Sequence, residues 1–362
     1  LQFDEPVAVK FLLPEFAANP EALVRFEREA RAAFKIKSEH VTRVLDVGRV
    51  ADGAPFMVME FLEGIDLGDL VAERLSLPVA EAVDYVLQAC EAVAEAHLLG
   101  IVHRDLKPEN LFIITRRDGS ACVKVLDFGL SKELPLKTGQ RQRALTSNEQ
   151  VMGTAQYMSP EQWVSAKDTG PETDIWAIGV ILYEVVSGYS PFLRDKLARV
   201  CGAVLNAEPP PLDKVMSDPP AGLDEVLRKC MVKDVRHRYH CIEELTDAVA
   251  PFASATGKEL AGRIARAAAR SGRAPLPFDE TLASATASDL APPAVLAAAQ
   301  AAAEPAAPLP RLGIRDPDGT IERWSDIMEK APTMAPRRSL VWVVVLLVVA
   351  LAAAAIGWFA LG

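Results

Sequence analysis

Short strand-like segments come first in this chain and long apolar helices follow. That order points to an α+β architecture in two lobes rather than to an alternating parallel sheet. Residues 7–11, 43–50 and 56–61 have the apolar, branched character of strands. Asn19-Pro20 is a helix start, with Asn19 as cap and Pro20 in the first helical position, and the helix runs through Glu29 towards Lys37. Beyond residue 78 the periodicity is mainly helical, with long apolar-rich helices at 79–99 and 174–187 and shorter ones at 222–232 and 242–250.

From 253 to 338 the chain turns to Ala, Pro, Ser and Arg and lacks the residues for a core, so a mostly disordered linker is expected. Within it, 258–273 fits an amphipathic basic helix exposing Arg263, Arg266, Arg270 and Arg273, either solvated or laid on anionic lipid. Residues 340–361 are uncharged and mostly apolar. They would give roughly 33 Å of helix, enough to cross a bilayer. A single transmembrane helix over 339–361 is the expectation, and a buried soluble helix is the competing reading. Arg337 and Arg338 precede the span and Trp342 and Trp358 lie near its ends, which puts the N-terminal bulk on the cytoplasmic side. A net charge of −10 speaks against a general nucleic-acid binder. The five cysteines show no metal-binding spacing and read as buried free thiols rather than disulfides.

The chemistry is concentrated in two short runs, His-Arg-Asp-Leu-Lys-Pro-Glu-Asn at 103–110 and Asp-Phe-Gly at 127–129. The first supplies a carboxylate for a hydroxyl (Asp105), an ammonium for a phosphate (Lys107) and an amide oxygen for a metal (Asn110). The second adds a metal-binding carboxylate, Asp127, after a strand-length interval. Phosphoryl transfer needs those groups, because its catalysis is mainly positioning and charge neutralisation. Taken singly, Asp105 or Asn110 would be a turn or capping residue; that reading does not explain the set.

With Val-Ala-Val-Lys at 7–10, Arg-Phe-Glu-Arg-Glu-Ala at 25–30, Gly-Thr-Ala-Gln-Tyr-Met-Ser-Pro-Glu-Gln at 153–162 and Asp-Ile-Trp-Ala-Ile-Gly at 174–179, residues 1–252 resemble the protein kinase catalytic domain in its bacterial, eukaryotic-like Ser/Thr form. The resemblance implies a two-lobed kinase-like fold, ATP and Mg2+ as cofactors, and protein Ser/Thr hydroxyls as acceptors. It implies Asp105 as orienting base, Lys107 and Lys10 on the phosphates, Asn110 and Asp127 on magnesium, and Glu29 as partner of Lys10, with Glu27 the local competitor. Ala8 would roof the purine, Phe112 floor it and Met59 stand behind it. The backbone of Glu60 and Leu62 would read the base edge, and Asp66 would reach the ribose. For Ala8, Met59 and Phe112, core packing explains the residue type nearly as well.

The same resemblance makes 131–151 an activation loop, with Thr146 or Ser147 as phosphate acceptors facing Arg104, or an unmodified mobile loop. Thr154 would shape the substrate hydroxyl site. Glu161 and Arg238 would form a buried ion pair, and Asp174 would hold the catalytic-loop backbone. Autophosphorylation would use a homodimer. The setting implied is signalling at the inner membrane, with the bilayer as a further partner. One departure stands out: the family's Gly-x-Gly-x-x-Gly hairpin has no counterpart, since only nine residues precede Lys10 and none is glycine. The expectation is an N-terminally incomplete kinase, and the alternative a catalytically impaired pseudokinase or membrane-anchored scaffold.

Overall fold

The branched run Val7–Phe11 forms strand β1, which pairs antiparallel with β3 (Pro55–Glu60); β3 pairs in turn with β2 (Val44–Arg49), giving the order β1-β3-β2. The register sets Ala8 opposite Met59 and Lys10 opposite Met57. Because side chains alternate along a strand, Ala8 and Lys10 share one face of this sheet. Helix α1 (Pro20–Lys35) buries Phe26 and Ala30 against Val44 and Met57.

The computed structural model describes residues 6–12, 20–50, 53–128, 153–164, 169–271, 314–315 and 321–322. After β3, the short strand β4 (Gly64–Asp66) leads into α2 (Leu67–Arg74) and α3 (Val79–Leu98). Strands β5 (Leu111–Thr115) and β6 (Ala121–Val125) complete a second antiparallel sheet, β4-β5-β6. Among the described residues the α-helices that follow are α4 (Pro160–Val164), α5 (Glu172–Ser187), α6 (Leu197–Asn206), α7 (Leu223–Cys230), α8 (Ile242–Val249) and α9 (Ala255–Ser271).

Helix α5 is apolar around its circumference and buried along almost its whole length, so it is the central pillar of the main core, packed between α3 and α7. Gly179 permits the close approach to α7, since a Cβ there would collide with Cys230. The helix stops at Gly188, whose φ of 70° is left-handed and whose N–H returns to the Glu184 carbonyl at 2.7 Å. All five cysteines are free, four of them buried.

A disordered linker is expected from residue 253, but Ala255–Ser271 is helical. Helix α9 buries Leu260, Ala261 and Ile264 against α3 and α8, so its first turns belong to the core rather than to a solvated or lipid-bound helix. Its Ala- and Arg-rich sequence hid this, because a stripe of three apolar residues reveals nothing about the groove that receives it. Arg273, Asn19, the activation-loop residues Thr146 and Ser147, and the apolar run 340–361 lie outside the described residues. Among those described, no helix is long and apolar enough to cross a membrane. The chain divides into units 1–311 and 312–362, and in the second a two-stranded hairpin pairs β7 (Ile314–Arg315) with β8 (Ile321–Glu322).

Candidate active site

One buried carboxylate holds the loop between α3 and β5. Asp174, in the first turn of α5, accepts the backbone N–H groups of His103 and Arg104 at 2.8 Å each, and its Oδ2 also lies 2.8 Å from His97 Nε2. Burial works to raise this carboxyl, but the hydrogen bond and charge of His97, with further help from His103, hold it below its ordinary value. The anchor matters because Arg104 has φ 65°, a left-handed conformation costing roughly 1–2 kcal/mol for a residue with a Cβ. His103 is structural: Nε2 donates to the Leu126 carbonyl at 2.9 Å, Nδ1 accepts the Asp105 N–H at 3.3 Å, and the ring packs on Phe128 with centroids 4.8 Å apart. Gln162 Nε2 donates to the Arg104 carbonyl at 2.8 Å. His97 and Gln162 were not anticipated; no local pattern ties either residue to this loop.

The loop presents Asp105 beside Lys107, with Oδ2 and Nζ 3.5 Å apart. Lys107 also donates to Thr154 Oγ1 at 3.2 Å, bringing in a residue from 47 positions downstream. Asn110 Nδ2 donates to the Asp105 carbonyl at 2.7 Å and lies 3.4 Å from its Oδ2. From β1, Lys10 Nζ reaches Asp127 Oδ1 at 2.6 Å. Asp127 has φ 57°, so a second left-handed backbone position lies at this site. The expected partner Glu29 lies on α1, with its side chain outside the described residues. Glu27, the competitor, is taken by Arg49 at 2.8 Å.

These groups fit a hard cation. The amide nitrogen of Asn110 is committed to the loop, which leaves its oxygen for a ligand, and Asp127 keeps Oδ2 while Oδ1 meets Lys10. One amide oxygen and one carboxylate oxygen suit Mg2+, which keeps several waters and takes few protein ligands.

The residues expected around a purine are distributed over both sheets. Ala8 and Met59 are cross-strand partners, and Asp66 pairs in register with Phe112. The Glu60 N–H goes to the Arg43 carbonyl at 3.0 Å, leaving at most its carbonyl for a base edge. The Glu60 carboxylate meets Lys124 Nζ at 3.0 Å. Leu62 follows β3, half-buried. Asp66 caps α2 by accepting the Asp69 N–H at 2.9 Å, a local duty alongside any contact with a sugar. Arg104 donates to the Thr169 carbonyl at 3.0 Å, and its buried Nε has no hydrogen-bond partner among the described residues.

Deeper in the helical half, the buried Glu184 carboxyl is pushed up to about 7 by burial and accepts the Tyr157 hydroxyl at 2.5 Å. Arg238, with its side chain fully buried, donates Nη1 and Nη2 to the two oxygens of Glu161 at 2.7 and 2.9 Å.

Comparison with known proteins accords with this arrangement. The protein kinase domain model matches residues 2–249. The serine/threonine-protein kinase drp72 of Corynebacterium efficiens is 38% identical over 250 residues, which is 68% of this chain and 45% of that protein. PknL of Mycobacterium tuberculosis is 34% identical over 240 residues, 66% of this chain and 57% of the relative. The chain thus spans about half the length of the curated relatives it matches. Among solved structures, the kinase domain of Mycobacterium tuberculosis PknI superposes with a TM-score of 0.53 at 27% identity, covering 70% of this chain and 88% of that one.

Proposed function

This chain belongs to the protein kinase family, among the bacterial serine/threonine kinases, and on that premise we propose that it transfers the γ-phosphoryl group of ATP to Ser or Thr hydroxyls of proteins. The observation that carries the reading is the convergence of Asp105, Lys107, Asn110 and Thr154 in one hydrogen-bonded group, with Lys10 paired to Asp127.

Asp105 accepts the hydrogen bond of the incoming hydroxyl and aims its oxygen at phosphorus. Lys107, between Asp105 and Thr154, neutralises charge gathering on the transferred group. Lys10 holds the α- and β-phosphates. Asn110 and Asp127 would hold Mg2+, which when bound offsets charge on the phosphate oxygens. Ala8, Met59 and Phe112 enclose the purine, and Thr154 borders the acceptor hydroxyl.

The Nε of Arg104, without a hydrogen-bond partner among the described residues, supports a further part of this reading, a loop phosphate at Thr146 or Ser147 docking on that guanidinium. The apolar run 340–361, with Arg337 and Arg338 before it, supports a tether that keeps the kinase domain at the cytoplasmic face of a membrane.

The test is incubation of the full chain, in lipid vesicles, with γ-labelled ATP, Mg2+ and a generic protein acceptor. Label should enter acceptor phosphoserine and phosphothreonine, appear on the loop peptide carrying Thr146 and Ser147, and float with the vesicles. Absence of transfer would overturn the activity. A fully active chain with an unlabelled loop would overturn the switch, and protein left in the soluble fraction would overturn the tether.

A further inference from the structure

Away from the catalytic loop, the turn after α1 meets helix α3 at a cluster the phosphoryl-transfer reading does not use. Glu39 and His40 come from the turn and Glu91 from the helix; one potential ligand atom from each lies within 4.8 Å of the other two. We propose that Glu39, His40 and Glu91 bind one divalent transition-metal cation of the zinc class.

The argument begins with the imidazole. His40 is 1% exposed, and its Nδ1 lies 2.8 Å from the Val123 carbonyl. A carbonyl only accepts, so Nδ1 carries the proton. In the neutral ring Nε2 then presents a lone pair, and it faces Glu91 Oε2 at 3.3 Å and Glu39 Oε1 at 3.9 Å. Three acceptors therefore converge with no proton of their own to share. A cation bound between the three acceptors resolves this conflict.

The surroundings orient each ligand. Arg116 Nη2 holds the other oxygen of Glu39 at 2.8 Å, and Arg263 Nη2 lies 3.7 Å from the other oxygen of Glu91. Each carboxylate thus has one oxygen directed to an arginine and one to His40. The Val123 carbonyl fixes the ring tautomer, as outer-shell partners of metal-bound histidines do. The backbone beneath is rigid: the Val125 N–H donates to the His40 carbonyl at 2.8 Å, and the Thr42 N–H to the Val125 carbonyl at 3.1 Å.

Distances and donor types select the ion. Tetrahedral ligands at bonds of about 2.0–2.1 Å lie roughly 3.3 Å apart. The His40–Glu91 separation already has that value, and Glu39, at 3.9 Å from the ring and more exposed, is the ligand that must move closer. One imidazole and two carboxylates favour a zinc-like ion over Mg2+ or Ca2+, which prefer all-oxygen sets. A cavity of about 490 Å³, lined in part by Ser38, Glu39, Glu91, Glu95 and Arg263, adjoins the cluster and gives room for entry and a water ligand.

The test uses the full chain, stripped with a chelator and titrated with ZnCl2 in excess Mg2+, so that a magnesium site does not compete. One equivalent should bind at micromolar concentration and raise the melting temperature. In the double variant E39Q/E91Q the affinity should fall by more than about 100-fold, beyond the 10–100-fold typical of outer-shell changes, and the rise in melting temperature should vanish. The metal-free variant should melt as the metal-free parent does, because both substitutions keep shape on partly exposed side chains. No stoichiometric binding at micromolar zinc would overturn the proposal. So would binding that the double variant leaves unchanged, which would place the ion elsewhere, for example on cysteines.

Discussion

Asp105→Asn should lower phosphoryl transfer by roughly 10²–10⁴-fold, the usual range for removing a positioned general base, with little change in melting temperature. The substitution keeps the shape of the side chain. The loop geometry around it depends on Asp174, His103 and the Asp105 carbonyl, none of which the change touches. What disappears is the charge 3.5 Å from Lys107 and the strongest acceptor for the incoming hydroxyl. Initial rates of label transfer, read beside thermal melts of both proteins, check this. A variant within threefold of the parent rate would remove Asp105 from its assigned role. Parallel loss of rate and of folding would show that the side chain serves stability instead.

Arg238→Met should cost about 3–5 kcal/mol of folding stability, because removing the fully buried partner leaves the half-buried Glu161 charge uncompensated and several buried carbonyls without a donor. Arg238 does more than pair with Glu161. Its Nε donates to the Val232 carbonyl at 2.7 Å, and Nη1 and Nη2 reach the carbonyls of Glu172 and Lys233 at 3.2 and 3.3 Å. Its guanidinium also lies over the Trp176 ring, 4.9 Å from the centroid. One substitution therefore leaves a carboxylate and three carbonyls short of a donor. For a domain of this size the loss corresponds to a fall in melting temperature of roughly 6–20 °C. Replacing both partners, as in E161M/R238M, should recover part of the loss, since two apolar side chains leave no buried charge.

The pair also sets an acid limit. Burial raises the Glu161 carboxyl, but attraction and hydrogen bonding from Arg238 outweigh it and leave the folded pKa below the ordinary 4.5. The stability this supplies is fully present above 4.5 and is lost as pH falls through the lower folded value. The stability difference between parent and Arg238→Met, read by denaturant unfolding at neutral and acid pH, should therefore narrow as pH falls below 4.5. A stability difference under 1 kcal/mol at neutral pH, or one that does not change with acid, would show that the pair is not the support it is taken to be.

Much of the fold was legible because its signals are local. The apolar spacing of 79–99 and 174–187 marks helices that the structure ends at Leu98 and Ser187, and the β-branched run at 7–11 is β1 itself. Asp105, Lys107 and Asn110 lie within six residues, so the loop that carries them brings them together with little help. Helix α9 was not legible as part of the core, because the groove that takes Leu260 and Ile264 is completed by α3, far away in sequence.

Residue chemistry and short spacing thus determined the kinase character of this chain: which groups it offers for phosphate, hydroxyl and metal, and in what order. The tertiary structure alone decided their partners. Lys10 meets Asp127 across 117 positions, Asp174 anchors a loop some 70 residues upstream, and Arg238 closes on Glu161 over 77. The convergence of His40 with Glu91 is of the same kind. Such contacts depend on how helices and sheets pack around a shared core, and the energy that selects them comes from burying side chains together rather than from any one segment.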